Sequence, residues 1–154
     1  MRMSVLFLGF SMLVLFGFPS AAYAARPEDL GKFDYWRTYV VYEGKNPVCY
    51  MSLTAKPPKE SAKKNKRGNV ILMITHRPAE SSFDVVSYTA GAHYQASTDV
   101  LVRVDDKKYH LFTKGSTAWA RDAATDQAIT LALRKAYKAA FIGKLAAGGR
   151  WLMM

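Results

Sequence analysis

The chain has 154 residues, 50% of them hydrophobic and 22% charged, with 22 basic against 12 acidic side chains and a formal net charge of +10. This is too apolar and too aromatic for a disordered polymer and too short for two full-sized domains, so a single core is expected. One cysteine, Cys49, excludes an internal disulfide and a cysteine-based zinc site.

Residues 1–24 read as a cleavable signal peptide. Arg2 supplies the positive start, and Val5 to Phe18 is an uncharged apolar run of 14 residues. Pro19 breaks the helix and Ala22-Tyr23-Ala24 offers small residues at the cleavage positions. The run is shorter than the ~20 residues that a bilayer-spanning helix needs. The expected organisation is therefore a leader at 1–24, a domain at 25–145 and an atypical tail at 146–154. The expected location is the periplasm, or a secreted or outer-membrane-associated state. In such an oxidising compartment Cys49 is a lone thiol. Its neighbours Val48, Tyr50 and Met51 predict a buried strand position, where it acts as a small inert hydrophobe.

Period-two patterns dominate the chain beyond residue 24. Phe33–Tyr42 is one long aromatic, β-prone run, and Val48–Thr54 sets Cys49, Met51 and Leu53 against Tyr50, Ser52 and Thr54. Lys56–Arg67, with two prolines, six basic groups and one acid, predicts a surface loop that concentrates the excess charge. Val70–Ile74 is apolar throughout and predicts a central strand covered on both faces. Phe83–Thr89 is a further strand. Val100–Val104 and Tyr109–Thr113, joined through Asp105-Asp106, predict a hairpin. A small-residue connection, Gly115–Ala124, leads to one helix capped by Thr125, with Ile129, Ala132, Leu133, Ala136 and Tyr137 as its apolar stripe. Arg134, Lys135 and Lys138 would oppose its dipole. Ala139–Leu145 reads as a last strand. The predicted fold is mainly β, a β-sandwich or flattened barrel of six to seven strands with one α-helix near the C-terminus.

Catalytic patterns are sparse. His76, His93 and His110 fall in separate segments without metal-ligand spacing, no serine sits in a nucleophile elbow, and Asp105-Asp106 occupies a hairpin tip. No metal or cofactor is expected. Trp36, Cys49 and Trp119 are read as structural, Trp119 as a core filler. His76, Arg77, Arg121 and Asp122 are the secondary candidates, because guanidinium forks grip anions. The six cations Lys56, Lys59, Lys63, Lys64, Lys66 and Arg67 are the primary candidates for binding. Their partner would be an anionic membrane surface, a glycan or an acidic protein. Nucleic acid is disfavoured, since no aromatic interleaves the charges.

Several blocks resemble the invasion associated locus B family of exported bacterial proteins. They are Trp36 with Thr38, Cys49-Tyr50, Arg67-Gly68, Thr75-His76-Arg77-Pro78-Ala79-Glu80, and above all Leu111-Phe112-Thr113 through Ala118-Trp119-Ala120-Arg121-Asp122-Ala123-Ala124-Thr125-Asp126. The resemblance spans about residues 33 to 145. It implies a signal peptide, a compact mostly β domain and a link to host-cell entry, with no catalytic residues to carry over. Residues 146–154 depart from the family pattern, lack strand alternation and look truncated or frame-shifted. The expected function is surface binding at the cell envelope without catalysis. The alternative is a periplasmic enzyme or ligand carrier with His76, Arg77, Arg121 and Asp122 in one cleft; a third possibility is a degenerate fragment without a role.

Overall fold

The computed structural model describes residues 26–55, 68–148 and 150–153. Both the expected leader and the basic segment with Lys56, Lys59, Lys63, Lys64, Lys66 and Arg67 lie outside the described residues. The described strands are β1 (Glu28–Phe33), β2 (Trp36–Glu43), β3 (Asn46–Ala55), β4 (Val70–Arg77), β5 (Ser82–Thr89), β6 (Val100–Val104), β7 (Lys107–Lys114), β8 (Thr117–Trp119), β9 (Ala139–Lys144) and β10 (Arg150–Met153). A 3-10 turn, Pro78–Glu80, joins β4 to β5, and one helix, α1 (Ala123–Leu133), precedes β9. The fold is thus mainly β with a helix near the C-terminal end. The strands form one open antiparallel sheet in the order β1-β2-β3-β4-β5-β8-β7-β6-β9-β10. No helix among the described residues is long and apolar enough to cross a membrane.

Strand count exceeds the expected six to seven, for local reasons. The Phe33–Tyr42 run is cut by a turn at Asp34, whose φ of 53° lies in the left-handed region, so β1 folds back on β2. β8 arises inside the small-residue connection, where Thr117 pairs with both Thr89 and Lys114. The tail, expected to lack a strand, supplies β10 along the free edge of β9, from Arg150 opposite Lys144 to Met153 opposite Phe141. A backbone edge left unpaired there would satisfy its hydrogen bonds only with water, and pairing removes that need.

The core is built on one face of the ladder. Met51 faces Ile74, which faces Val86, and Leu53 faces Leu72, which faces Tyr88. Val70, Leu72, Ile74, Val86 and Tyr88 are buried, whereas Ile71 and Met73 on the opposite face are half-buried. The expectation that β4 is covered on both faces is therefore corrected. The ladder keeps side-chain alternation, and among the described residues only one face receives a second layer. That layer comes from α1 through Ile129 and from the far half of the sheet, which turns back until the Phe141 ring on β9 stacks on Tyr88 at 4.4 Å.

The β6–β7 hairpin matches its prediction, with Asp105 at a φ of 48° in the turn. The helix differs at both ends. Asp122, not Thr125, is its cap, accepting the Thr125 N–H at 2.7 Å. It stops at Leu133 with Arg134 as its C-terminal cap residue, so Lys135 and Lys138 lie beyond it and Tyr137 is fully exposed. Trp119 is half-buried against Phe112, with ring centroids 5.9 Å apart, rather than filling the core. Alternation along β8 turns Ala118 to the core beside Tyr88 and Trp119 to the opposite face. Trp36 packs, half-buried, against the core.

Gly91 closes the loop after β5. It has a φ of +69°, its carbonyl accepts the Gly68 N–H at 2.8 Å, and a Cβ there would stand 2.2 Å from the Gly68 oxygen. The clash is with backbone, which cannot rotate away. Gly91→Ala is expected to cost about 2 kcal/mol or more, read as a lower urea midpoint with an unchanged slope.

Candidate functional site

The apolar face of β2 to β4 continues past the region that α1 covers. Register sets Thr38 opposite Met51 and Cys49 opposite His76, and alternation aims all four to the same side as Ile74. β1 forms the outer wall. Its ladder shifts by one residue between Asp29 and Gly31, where Gly31 takes a φ of +124°, and Leu30 and Phe33 remain exposed on the rim. The result is an open groove of about 370 Å³ lined by Leu30, Phe33, Thr38, Cys49, Met51 and His76, among others. Cys49 is accordingly half-buried, not buried as expected, because among the described residues no second layer covers β3 at that point.

A smaller cavity of about 90 Å³ adjoins the groove beneath α1. It shares Met51 and His76 and adds Trp36, Ile74, Thr130, Leu133 and Arg134. The Asp84 N–H donates to His76 Nδ1 at 3.3 Å. With Nδ1 accepting, the neutral ring carries its proton on Nε2, which has no partner among the described residues. His76 is thereby a donor towards a ligand, and in this tautomer it cannot serve as a base through Nε2. The Thr130 hydroxyl donates to the Asp84 carbonyl at 3.4 Å. Arg134 is exposed and has no acidic partner among the described residues.

The four polar candidates of the alternative reading are not brought together. His76 and Arg77 are consecutive on β4, so alternation sends them to opposite faces. Arg77 pairs with Glu43 at 2.7 Å and Glu80 at 3.5 Å, which hold its guanidinium more basic than usual, the Glu43 hydrogen bond most of all. Arg121 pairs with Asp99 at 3.0 Å and lies 5.6 Å from the centre of the Phe112 ring. Asp122 is engaged by the Thr125 N–H and hydroxyl, which hold its carboxyl below the ordinary aspartate range. Arg121 and Asp122 are thus held by separate partners and not by each other. No hydrogen bond or ion pair joins His76 or Arg77 to Arg121 or Asp122 among the described residues.

Arg121, Asp122 and Asp126 do line a cavity of about 340 Å³ at the start of α1. Its chemistry is structural. Asp126 Oδ1 accepts the Val86 N–H at 2.8 Å and ties the helix to β5. Burial, with smaller contributions from the Asp122 and Asp84 charges, pushes the Asp126 carboxyl up, against the opposing Val86 hydrogen bond. No group of three or more His, Cys, Asp or Glu able to hold a metal ion occurs among the described residues.

Sequence reasoning missed the groove, although Thr38 and Met51 belong to visible period-two runs. What no pattern revealed was which part of that face would stay uncovered. Arg134 was read only as a dipole charge. Compared with known protein families, with curated proteins and with solved structures, the chain matches none.

The raised carboxyl of Asp126 sets the sign of a pH effect. A folded state that binds its proton more tightly than the unfolded chain is favoured at low pH and loses that stability as pH rises through the folded value. Asp126→Asn keeps the oxygen that accepts from Val86 and removes the buried charge. It is expected to raise the urea midpoint at pH 7 and to leave it unchanged below about pH 4, near the ordinary aspartate value.

Proposed function

We propose that the chain is an exported, non-catalytic binding protein of the bacterial cell envelope, akin to the invasion associated locus B proteins that its sequence resembles. The observation that carries this reading is the division of labour among its polar groups. Arg77, Arg121, Asp122 and Asp126 are each consumed in a separate structural contact, while the groove, larger than the cavities at either end of α1, is apolar and open. Such a surface offers mainly contact area, and no hydrogen bond among the described residues joins its thiol, Cys49, to its imidazole, His76. Stacking of Tyr88 on Phe141 across the folded-back sheet supports a flattened sandwich as the architecture. The apolar run and cleavage positions within residues 1–24 support export, with the periplasm or the outer surface as destination.

Contact with polyanions, whether lipid surface, glycan or acidic protein, is assigned to Lys56, Lys59, Lys63, Lys64, Lys66 and Arg67, which lie outside the described residues. Six cations in twelve residues attract such partners with a strength that falls as salt screens them. Cell fractionation is expected to recover a processed chain from the envelope and none at 17.2 kDa from the cytosol. Changing Lys59, Lys63, Lys64 and Lys66 to Gln is expected to abolish most retention on heparin or anionic vesicles at low salt. Unchanged retention would leave the segment a solubilising loop.

The groove favours a second reading beside surface contact, that of a ligand carrier. Its site is built on His76 and Arg134, without the Arg77, Arg121 and Asp122 that the sequence alone had suggested for a carrier.

A further inference from the structure

We infer that the groove and the cavity beneath α1 together form a binding site for a long-chain carboxylate, a single-chain amphiphile of the fatty-acid type. This deepens the carrier reading and rests on it. The argument is one of complementarity in both shape and charge. Leu30, Phe33, Met51 and Cys49 make an open apolar trough of about 370 Å³, within the range of small-molecule sites. Beside it lies the cavity of about 90 Å³, which shares Met51 and His76 with the trough as lining residues.

The polar groups at that cavity are one-sided. His76 has Nε2–H left to donate once Nδ1 has accepted from Asp84. Arg134 has a guanidinium fork with no acidic partner among the described residues. The Thr130 hydroxyl already spends its proton on the Asp84 carbonyl. Two unspent donors, one of them cationic, call for a head that is acceptor-only and negative. A planar carboxylate meets a guanidinium fork in the bidentate manner that gives both strength and orientation. A flexible chain attached to it would lie along the trough and cover the apolar face that the second layer leaves bare. Burying that chain supplies most of the affinity, at roughly 25 cal/mol per Å² of apolar surface removed from water, and the head sets direction.

The test uses the full chain, in the form the cell leaves it, after delipidation. A fluorescent polyene fatty acid serves as reporter, and palmitate, hexadecanol and a single-chain phosphate monoester are its competitors. Palmitate is expected to displace the reporter about tenfold better than hexadecanol, because only the charged head engages Arg134. Arg134→Gln should erase that preference and leave hexadecanol unaffected, and Arg134→Lys should restore part of it. Phe33→Asp, on the exposed rim, should weaken all the competitors alike. Circular dichroism on each variant checks that the fold persists, which an exposed position makes straightforward. Displacement by palmitate and hexadecanol to equal extents, or an Arg134→Gln protein that keeps the preference, would overturn the inference. A phosphate monoester that outcompetes palmitate would overturn the carboxylate assignment. A protein that ignores every amphiphile yet still binds heparin or anionic vesicles would end this inference and leave the surface-contact reading standing.

Discussion

The register of β3, β4 and β5 is the constraint on which the rest of the molecule depends. Met51, Ile74 and Val86 lie in one row, and Leu53, Leu72 and Tyr88 in the next. Because side chains alternate strictly, a slip of one residue would send every one of them to the other face. Held in this register, the rows present a single continuous apolar surface. Ile129 of α1 and Phe141 of β9 cover part of it, and the remainder, at Cys49, Met51 and Thr38, opens as the groove. Core and candidate site are therefore two ends of the same surface, one dry and one reachable from solvent.

The polar groups divide along the same line. Those near the covered end hold elements together, as when Asp126 ties α1 to β5 through the Val86 N–H or when Asp122 closes the helix start. Arg77 at the end of β4 and Arg121 in the connection before α1 do comparable work, each with carboxylate partners that neutralise it. Exposed pairs of this kind contribute at most about 1 kcal/mol apiece, so their importance is geometric more than energetic. His76 and Arg134, at the boundary between covered and uncovered surface, retain donors that no intramolecular acceptor satisfies among the described residues.

Much of the fold was legible residue by residue. The β6–β7 hairpin announced itself through β-branched alternation around Asp105-Asp106, and β3, β5 and β9 through comparable runs. The helix was legible in its middle, at Ile129, but not at its ends. Asp122 outcompetes Thr125 as the cap because the chain enters from β8 already extended at that residue, with a φ of -155°. β8 was invisible because Thr117-Ala118-Trp119 is too short to show a period, and it exists only because Thr89 and Lys114 flank it with unpaired edges. Turns at left-handed residues, Asp34 among them, were hidden for a related reason. Aspartate tolerates that conformation without advertising it as glycine does.

Alternation and turn chemistry, both local properties, determined that the described residues are mainly β with a helix near the C-terminal end. Local composition is likewise the basis for expecting a basic contact segment and, together with the family resemblance, export. Which stretch of the apolar face would be sealed and which left open was decided by tertiary structure alone. That outcome depends on where α1 lands and how far the sheet turns back, and both follow from contacts between residues distant in the chain, Tyr88 with Phe141 and Val86 with Asp126. Strand periodicity specifies which way a side chain points; it carries no information about what will come to rest upon it.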